Sequence, residues 1–253
     1  MTNQEVVTVE PYSKLAVIYD DVMSHVDYKR WAQYVHQIIY KWQPHCHSVL
    51  DISAGTGSFL LNLKMKKAEF VGFDYSLEMI SIAQKKLNSR AGNISFFQGD
   101  MISFCLKKNF DVIVCLYDSI NYLLKFELWQ QLFSRVHDAL NATGIFIFDV
   151  CTEKNSVKYF SNYGERNGGS NYDYIRNSSY ERKKRIHKNE FIISFDHEAV
   201  SFVEVHQQKI FSIKEILKFI KLTNFKVLGY FDEFSFKVGC ENSLRIHFVL
   251  QKA

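Results

Sequence analysis

The sequence predicts an α/β protein in which helices cover both faces of a mostly parallel sheet. Strand-like and helix-like segments alternate from about residue 48 to residue 150, which is the order that right-handed crossovers between parallel strands produce. Within this region an apolar run reaches Asp51 and continues into a glycine turn that opens a helix. Acidic residues also end later strands, at the sheet edge where such folds bind ligands.

Apolar spacing defines the helices and strands of this alternation. Before the sheet, apolar and aromatic residues at helical spacing predict one helix around Tyr12 to Met23 and another from Tyr28 to Trp42. A long amphipathic helix is predicted near Phe126 to Leu140. The parallel strands are predicted at 49–52, Glu69–Asp74, Ile94–Phe97, Phe110–Leu116 and Gly144–Asp149.

The alternation breaks after Val150. From about Tyr172 to Gln208 the pattern has a period of two, which is typical of antiparallel strands. The chain then returns to elements of the first kind, predicted at Ser212–Leu222 (helix), Lys226–Phe231 (strand) and Leu244–Gln251 (strand). We therefore expect N-terminal helices and a binding core in 1–150, an inserted β lid in 151–210, and the remainder of the core in 211–253. Removing the lid is expected to spare binding at the glycine turn.

The glycine turn limits the kind of ligand. Gly55 and Gly57 remove Cβ atoms where the backbone must pass close to a ligand, and Asp51 is positioned to accept a hydrogen bond from a cationic group. Leu60 stands where a dinucleotide fold needs a third glycine, and the Gly-Lys-Ser/Thr ending of a phosphate loop is missing. The ligand is therefore expected to lack a pyrophosphate.

With Ser53 in place of the usual first glycine, this turn resembles the first motif of the class I S-adenosylmethionine-dependent methyltransferases. The resemblance spans almost the whole chain and is closest to bacterial small-molecule members, through Tyr12 with Tyr19-Asp20, Asp118-Ser119-x-Asn121-Tyr122, and His206-Gln207-Gln208-Lys209. It implies a Rossmann-like, doubly wound seven-stranded sheet, mostly parallel with an antiparallel last strand, and an inserted antiparallel β lid. It also implies S-adenosylmethionine as the cofactor and S-adenosylhomocysteine as the product.

The resemblance further implies which residues contact the cofactor. Asp74 is placed to take the ribose hydroxyls, and Asp100 the adenine amino group, with Met101 covering the ring. Two alternatives stay open, namely Met79 as a core residue and Asp100 as the cap of a following helix. The predicted cofactor contacts are Tyr12, Tyr19, Asp51, Ser53, Gly55, Gly57, Asp74, Tyr75, Met79, Asp100, Met101 and Leu116.

The acceptor side is predicted from the segment after the fourth strand and from the end of the lid. Methyl transfer to nitrogen or oxygen is an in-line displacement, which a protein accelerates by alignment and by excluding water. Asp118 and His206 are the candidate catalytic groups, with a helix cap and a structural histidine as the respective alternatives. The predicted substrate contacts are Tyr117, Asn121, Tyr122 and Gln208.

Composition excludes several other classes. The chain has 253 residues, 47% of them hydrophobic, and its net charge of +4 is too small to indicate a nucleic-acid surface. The basic run at 183–185 is expected in a solvated hairpin, and the His-Cys-His segment at 45–47 in a loop and not a metal site. The five cysteines show no Cys-x-x-Cys spacing, and neither a secretory segment nor an apolar run of about 20 residues is present. A cytoplasmic protein without membrane association is expected.

Absent motifs narrow the acceptor. Prolines occur only at Pro11 and Pro44. This excludes the Asn/Asp-Pro-Pro-Tyr segment of amino methyltransferases that act on DNA bases or glutamine, and the Pro-Cys nucleophile of cytosine C5 enzymes. DNA is therefore not expected as the acceptor. Protein and structured RNA stay open as acceptors, and the predicted lid favours a small molecule. A homodimer also stays open. Two other classes compete with methyl transfer. An inactive cofactor-binding partner subunit is disfavoured by Asp74 and Asp100, and a nucleotide-dependent oxidoreductase is disfavoured by Leu60.

Overall fold

The computed structural model describes residues 5–87 and 93–253. Seven strands form the main sheet: β2 (Ser48–Asp51), β3 (Glu69–Asp74), β4 (Ile94–Gln98), β5 (Phe110–Cys115), β6 (Leu140–Cys151), β11 (Phe225–Asp232) and β12 (Arg245–Lys252). They lie in the order β11-β12-β6-β5-β2-β3-β4. Strand β12 is antiparallel to both neighbours, and the other pairs are parallel. The predicted sheet, mostly parallel with an antiparallel last strand, is confirmed.

Helices cover both faces of the main sheet because successive strand residues point to opposite faces. The helices are α1 (Leu15–Val22), α2 (Tyr28–Trp42), α3 (Ser58–Asn62), α4 (Leu77–Leu87), α5 (Phe126–Ala139), α6 (Glu153–Phe160) and α7 (Ile213–Ile220), with a 3₁₀ helix at Ser119–Tyr122. On one face Leu50 packs in a buried cluster with Trp129 of α5. On the other face the adjacent residue, Val49, packs with Ile38 of α2 and Leu60 of α3.

Five strands form a second sheet, called the lid sheet below: β1 (Glu5–Val9), β7 (Asn162–Gly168), β8 (Tyr172–Glu181), β9 (Ile186–Phe195) and β10 (Val200–Lys209). Their order is β1-β10-β9-β8-β7. The antiparallel pairing of β8, β9 and β10 confirms the predicted antiparallel insert, and residues alternate along β9 between buried and partly exposed. The basic run at 183–185 lies in the turn between β8 and β9.

Three elements differ from the sequence prediction. The lid sheet also contains β7 and the N-terminal strand β1, which pairs parallel to β10. Both are edge strands, and nearly all of their residues are exposed, so they lack the apolar alternation that predicts a strand. Helix α6, which begins at the cap residue Thr152, lies in the segment that was expected to hold only strands.

The first predicted helix starts later than expected. Tyr12 is not helical; it lies in a turn with a φ of 63°, and α1 begins at Leu15. The carboxylate of Glu204, on β10, accepts hydrogen bonds from the backbone N–H groups of Tyr12, Lys14 and Leu15. A contact 190 residues away in sequence therefore fixes this turn, and local apolar spacing does not report such a contact.

Candidate active site

Two cavities lie at the carboxyl ends of the parallel strands and share a wall. The glycine-turn cavity has a volume of about 420 Å³ and the lid cavity one of about 490 Å³. The glycine-turn cavity is lined by Asp51, Ser53, Gly55, Asp74, Tyr75, Met79, Asp100, Met101 and Leu116, among others. The lid cavity is lined by Trp31, Asp118, Arg176, His187, His206, Gln208 and Arg245, among others. The residues that line both are Tyr12, Tyr19, Tyr117 and Tyr122, called the tyrosine wall below.

The two glycines of the turn have different surroundings. Both have positive φ, 52° at Gly55 and 77° at Gly57, a conformation that glycine adopts without strain. A Cβ on Gly55 would meet no atom within 4 Å, and Gly55 lines the cavity. A Cβ on Gly57 would lie 2.7 Å from the Phe96 ring and 3.2 Å from Ala83. Gly57 is therefore placed against the core and away from the cavity, where it lets α3 pack closely.

Asp51 and Asp74 stand at the ends of β2 and β3. Asp51 is buried and accepts one backbone hydrogen bond, from Ser53, at 3.1 Å. Within the described residues it forms no ion pair, and burial raises the pKa of Asp51 to about 7. Asp74 accepts from Gly55 N at 2.8 Å and from Ser76 N at 3.0 Å, and burial raises its pKa too. Two desolvated carboxylates thus face one cavity.

The remaining predicted cofactor residues also line the glycine-turn cavity. No helix follows Asp100; residues 101–103 form a turn, and the Asp100 carboxylate accepts from Ile102 N at 3.1 Å. The alternative that Asp100 caps a following helix is therefore wrong. Met79 lies at the start of α4, where Ser76 Oγ accepts from its N–H at 3.1 Å. Met79 is both buried and at the cavity wall, so core packing and a ligand contact are compatible.

A chain of hydrogen bonds runs through the tyrosine wall to the lid sheet. The hydroxyls of Tyr12 and Tyr122 lie 2.6 Å apart, and Tyr122 OH lies 2.9 Å from His206 Nδ1. The other ring nitrogen of His206 lies 3.1 Å from Glu204. Burial would raise the pKa of Glu204, but the bonds from His206 and from three backbone N–H groups outweigh it and lower that pKa. Both nitrogens of His206 are therefore engaged inside the protein.

Tyr117 differs from the other tyrosines of the wall. Its ring stacks on Trp31 at 4.1 Å between centroids, and its buried hydroxyl has no hydrogen-bond partner within the described residues. The pKa values of four tyrosines lie well above the ordinary value, and burial is the largest cause: Tyr12, Tyr19, Tyr117 and Tyr122. The hydroxyls of the wall consequently stay protonated and neutral at neutral pH.

Asp118 sits on the lid-cavity side of the wall in an unusual backbone conformation, with a φ of 49°. Its carboxylate does not cap the 3₁₀ helix that follows. It pairs with Arg245 at 2.5 Å and accepts a hydrogen bond from Gln208 at 2.6 Å. Arg245 also donates to Asp149. Burial opposes the charge on Arg245, but Asp118 and Asp149 raise its pKa.

Asn121 does not line either cavity. It is buried, donates to Lys209 O at 2.7 Å and accepts from Cys151 N at 3.3 Å. Asn121 therefore ties the 3₁₀ helix to β10 and β6. Of the residues predicted on the acceptor side, the structure brings Tyr117, Asp118, Tyr122, His206 and Gln208 together at the lid cavity.

Two residues of the site were not found by sequence reasoning. Arg245 begins the last strand. A charged residue next to an otherwise apolar strand is the sequence signal that indicates a buried, paired arginine. Glu204 lies in β10 between apolar residues and is buried. Its partners come from the N-terminal segment and from His206, so no local pattern identifies its role.

Comparisons with known proteins agree with this architecture. Residues 49–144 match the model of a methyltransferase domain family. Over 96% of its length the chain is 28% identical to a Bacillus subtilis protein named "Putative methyltransferase YqeM", of which it covers 97%. Over 38% of its length it is 29% identical to the dTDP-3-amino-3,4,6-trideoxy-alpha-D-glucopyranose N,N-dimethyltransferase of Streptomyces venezuelae, of which it covers 39%.

Solved structures share the fold. A S-adenosylmethionine-dependent methyltransferase from Clostridium acetobutylicum superposes with a TM-score of 0.81 at 24% identity, covering 96% of this chain and 99% of that one. DesVI of Streptomyces venezuelae superposes with a TM-score of 0.72 at 20% identity, covering 94% and 98%.

The chain is a class I S-adenosylmethionine-dependent methyltransferase. Its cofactor is S-adenosylmethionine, and the alternative of a nucleotide-dependent oxidoreductase is wrong. In the part of the chain that the structure describes, none of the helices has the length and apolar character needed to cross a membrane.

Proposed function

We propose that this methyltransferase transfers its methyl group to an amine nitrogen of a small molecule held in the lid cavity. The observation that carries the proposal is the shared tyrosine wall. On one side of it lie the carboxylates of the glycine turn, and on the other lies Asp118. Such an arrangement separates a donor cavity from an acceptor cavity and leaves one place where reacting atoms meet.

The residues of the glycine-turn cavity fit S-adenosylmethionine. Asp51 is a buried carboxylate without a cationic partner among the described residues, and an ammonium group would supply one. Asp74 uses two lone pairs on backbone N–H groups, and its remaining ones are available to ribose hydroxyls. Asp100 and Met101 are left for the adenine ring. When bound, the cofactor supplies an electrophilic methyl group on a sulfonium.

The tyrosine wall favours such a cation without reacting with it. Its hydroxyls stay protonated because burial raises their pKa, so they offer neutral oxygen lone pairs and aromatic ring faces. Tyr117 OH is buried and unpartnered within the described residues, and is the wall oxygen free to point at a ligand.

Nitrogen is favoured over oxygen because the wall offers no base. A neutral amine attacks through its lone pair before it loses a proton, whereas a hydroxyl must be deprotonated as it reacts. The tyrosines are protonated, and both nitrogens of His206 are engaged by Tyr122 and Glu204. Asp118 is held by Arg245 and Gln208 and is suited to orient an amine N–H. In this proposal His206 positions Tyr122 and Gln208 positions Asp118, each through its hydrogen bond.

The lid supports a small-molecule acceptor. Residues 151–210 supply one wall of the lid cavity, whose volume of about 490 Å³ is in the range of small-molecule sites. One curated relative is named for transfer to an amino sugar, which is the same class of acceptor. Residues 1–150 and 211–253 then act as the core that holds the cofactor.

The test is a screen of methyl-donor consumption with purified protein, S-adenosylmethionine and matched pairs of small amines and alcohols. We expect amines to be methylated. Asp118→Asn should lower kcat about 100-fold with an unchanged affinity for S-adenosylhomocysteine. Asp196→Asn, in an exposed turn of the lid sheet, is the matched control. Turnover of alcohols without amines, or equal kcat in the two variants, would contradict the proposal.

A further inference from the structure

The far end of the lid cavity carries polar groups that the proposed methyl transfer does not use. They lie on the inner face of the lid sheet, on adjacent strands: Arg176 on β8, and His187 and Asn189 on β9. In the strand register His187 pairs with Gln208, the residue that donates to Asp118. The cluster is therefore next to the acceptor end of the cavity.

Arg176 is a half-buried cation without a carboxylate partner. No ion pair within residues 5–87 and 93–253 includes it. Its Nε and Nη2 donate to Asn189 Oδ1 at 3.3 and 3.1 Å. Glu165 lies directly opposite on β7, but its carboxylate accepts from the hydroxyls of Tyr163 and Tyr174. The Nη1 edge of Arg176 is left for a ligand.

The guanidinium of Arg176 is also held in place. It lies over the rings of Phe160, Tyr163 and Phe191, at 5.1, 5.8 and 5.5 Å from their centroids. Two of these residues, Phe160 and Phe191, line the lid cavity as well. An arginine fixed by stacking and by a forked hydrogen bond loses little side-chain freedom when it binds an anion.

His187 supplies a second, independent sign of a ligand. The side chain is 2% exposed, lines the lid cavity, and has no hydrogen-bond partner for either ring nitrogen within the described residues. A buried polar group without a partner is costly, and native structures rarely keep one unless a ligand or water satisfies it. Burial is the largest effect and lowers the pKa of His187, Arg176 lowers it further, and Asp118 and the neighbouring Asn189 side chain raise it. His187 therefore lies within electrostatic reach of Arg176 and Asp118.

We propose that Arg176 and His187 form a subsite for an anionic group, so that the acceptor is an amine that also carries a carboxylate or a phosphate. This inference rests on the proposed function, which places the acceptor in the lid cavity. The amine would face Asp118, and the anionic oxygens would accept from Arg176 Nη1 and His187. An acceptor with a neutral amine at one end and an anionic group at the other would enter this cavity in one orientation only.

Anion binding tests the subsite without knowledge of the acceptor. Protein saturated with S-adenosylhomocysteine is titrated with inorganic phosphate and, separately, with acetate at constant ionic strength, and the ring resonances of His187 are followed by NMR. We expect saturable shifts with at least one anion, and the stronger of the two identifies phosphate or carboxylate as the preferred group. Arg176→Gln should weaken binding about tenfold or more, because it removes a charge-assisted donor pair.

The matched control is Arg182→Gln, which removes a charge from the exposed turn of the same hairpin and should leave anion binding unchanged. A second variant, Asn189→Asp, places a carboxylate on the bonded edge of Arg176 and should abolish binding while keeping that contact. It decides the question if Arg176→Gln does not fold. Shifts that never saturate, or equal affinity in the Arg176→Gln and Arg182→Gln variants, would overturn the subsite. Failure to bind S-adenosylhomocysteine would instead contradict the proposed function.

Discussion

Replacing Glu204 with glutamine should weaken the whole site, although Glu204 does not line the glycine-turn cavity. One carboxylate oxygen accepts from Lys14 N at 2.6 Å and Leu15 N at 2.7 Å. The other accepts from Tyr12 N at 2.7 Å and lies 3.1 Å from His206 Nε2. In Glu204→Gln the amide oxygen can serve only one of these pairs, and the amide NH₂ then faces the other.

The magnitude follows from the bonds that are lost. Two hydrogen bonds to a buried carboxylate, at about 1.5 kcal/mol each, give a loss of about 3 kcal/mol in the free energy of unfolding. For a chain of this size the melting temperature should fall by about 6 to 12 °C. Tyr12 lines both cavities, so the affinity for S-adenosylhomocysteine should fall as well. Urea unfolding and calorimetric titration measure the two effects.

The effect should depend on pH in a defined direction. The pKa of Glu204 in the folded protein lies below its ordinary value of 4.5, so its contribution is present above pH 4.5 and is lost as the pH falls through the folded pKa. The difference between wild type and Glu204→Gln should therefore shrink in acid. Glu198→Gln is the control, because Glu198 is partly exposed and, within the described residues, forms an ion pair with Lys14 alone, at 3.4 Å. Equal stability of the Glu204→Gln and Glu198→Gln proteins at pH 7 would refute the reasoning.

Three further predictions concern the glycine turn and its cavity. Asp74→Ala should stay folded and bind S-adenosylhomocysteine about tenfold or more weakly by calorimetry; unchanged affinity removes Asp74 from the site. Asp51 has a pKa of about 7 and must be ionised to pair with an ammonium group. The affinity for S-adenosylhomocysteine should therefore rise about tenfold per pH unit up to pH 7 and then level off. Asp51→Asn should flatten this dependence of the affinity on pH. Gly57→Ala should cost more stability in urea unfolding than Gly55→Ala, since only at Gly57 does the new Cβ meet Phe96 at 2.7 Å; equal losses would contradict the packing role.

The parts of the fold that could be predicted from the sequence are those with local causes. The strands ending at Asp51 and Asp74 are short apolar runs closed by an acid, and α2 has the predicted bounds because its apolar residues repeat at helical spacing. Since the carboxyl ends of parallel strands meet at one edge, placing Asp51, Asp74 and Asp100 at one cavity needed only the strand order.

The parts that could not be predicted depend on contacts between distant segments. Asp118 looked like a free acceptor-facing acid or a helix cap, but Arg245, 127 residues later in the chain, binds its carboxylate. Gly57 looked like a ligand contact because the motif groups it with Gly55, whereas its φ serves the packing against Phe96. Asn121 belongs to the acceptor motif in sequence, but its side-chain amide forms hydrogen bonds with the backbone of β10 and β6. Sequence spacing gives the position of a side chain, and not the partner that it finds.

These long-range contacts change what removing the lid should do. The turn that carries Tyr12 is fixed by Glu204 from β10, and β1 pairs along the same strand. The N-terminal segment is also attached to the glycine-turn side, where Thr56 Oγ1 donates to Asp20 of α1 at 2.7 Å and Ser76 Oγ donates to Tyr12 O at 2.8 Å. The N-terminal segment therefore bridges the lid sheet and the glycine-turn cavity, and supplies Tyr12 and Tyr19 to the wall between them. Deleting residues 172–208 would remove Glu204 together with the lid-sheet side of the lid cavity. Cofactor binding should therefore weaken and not be spared. Point variants on the inner face of the lid sheet separate acceptor binding from cofactor binding better than the deletion does.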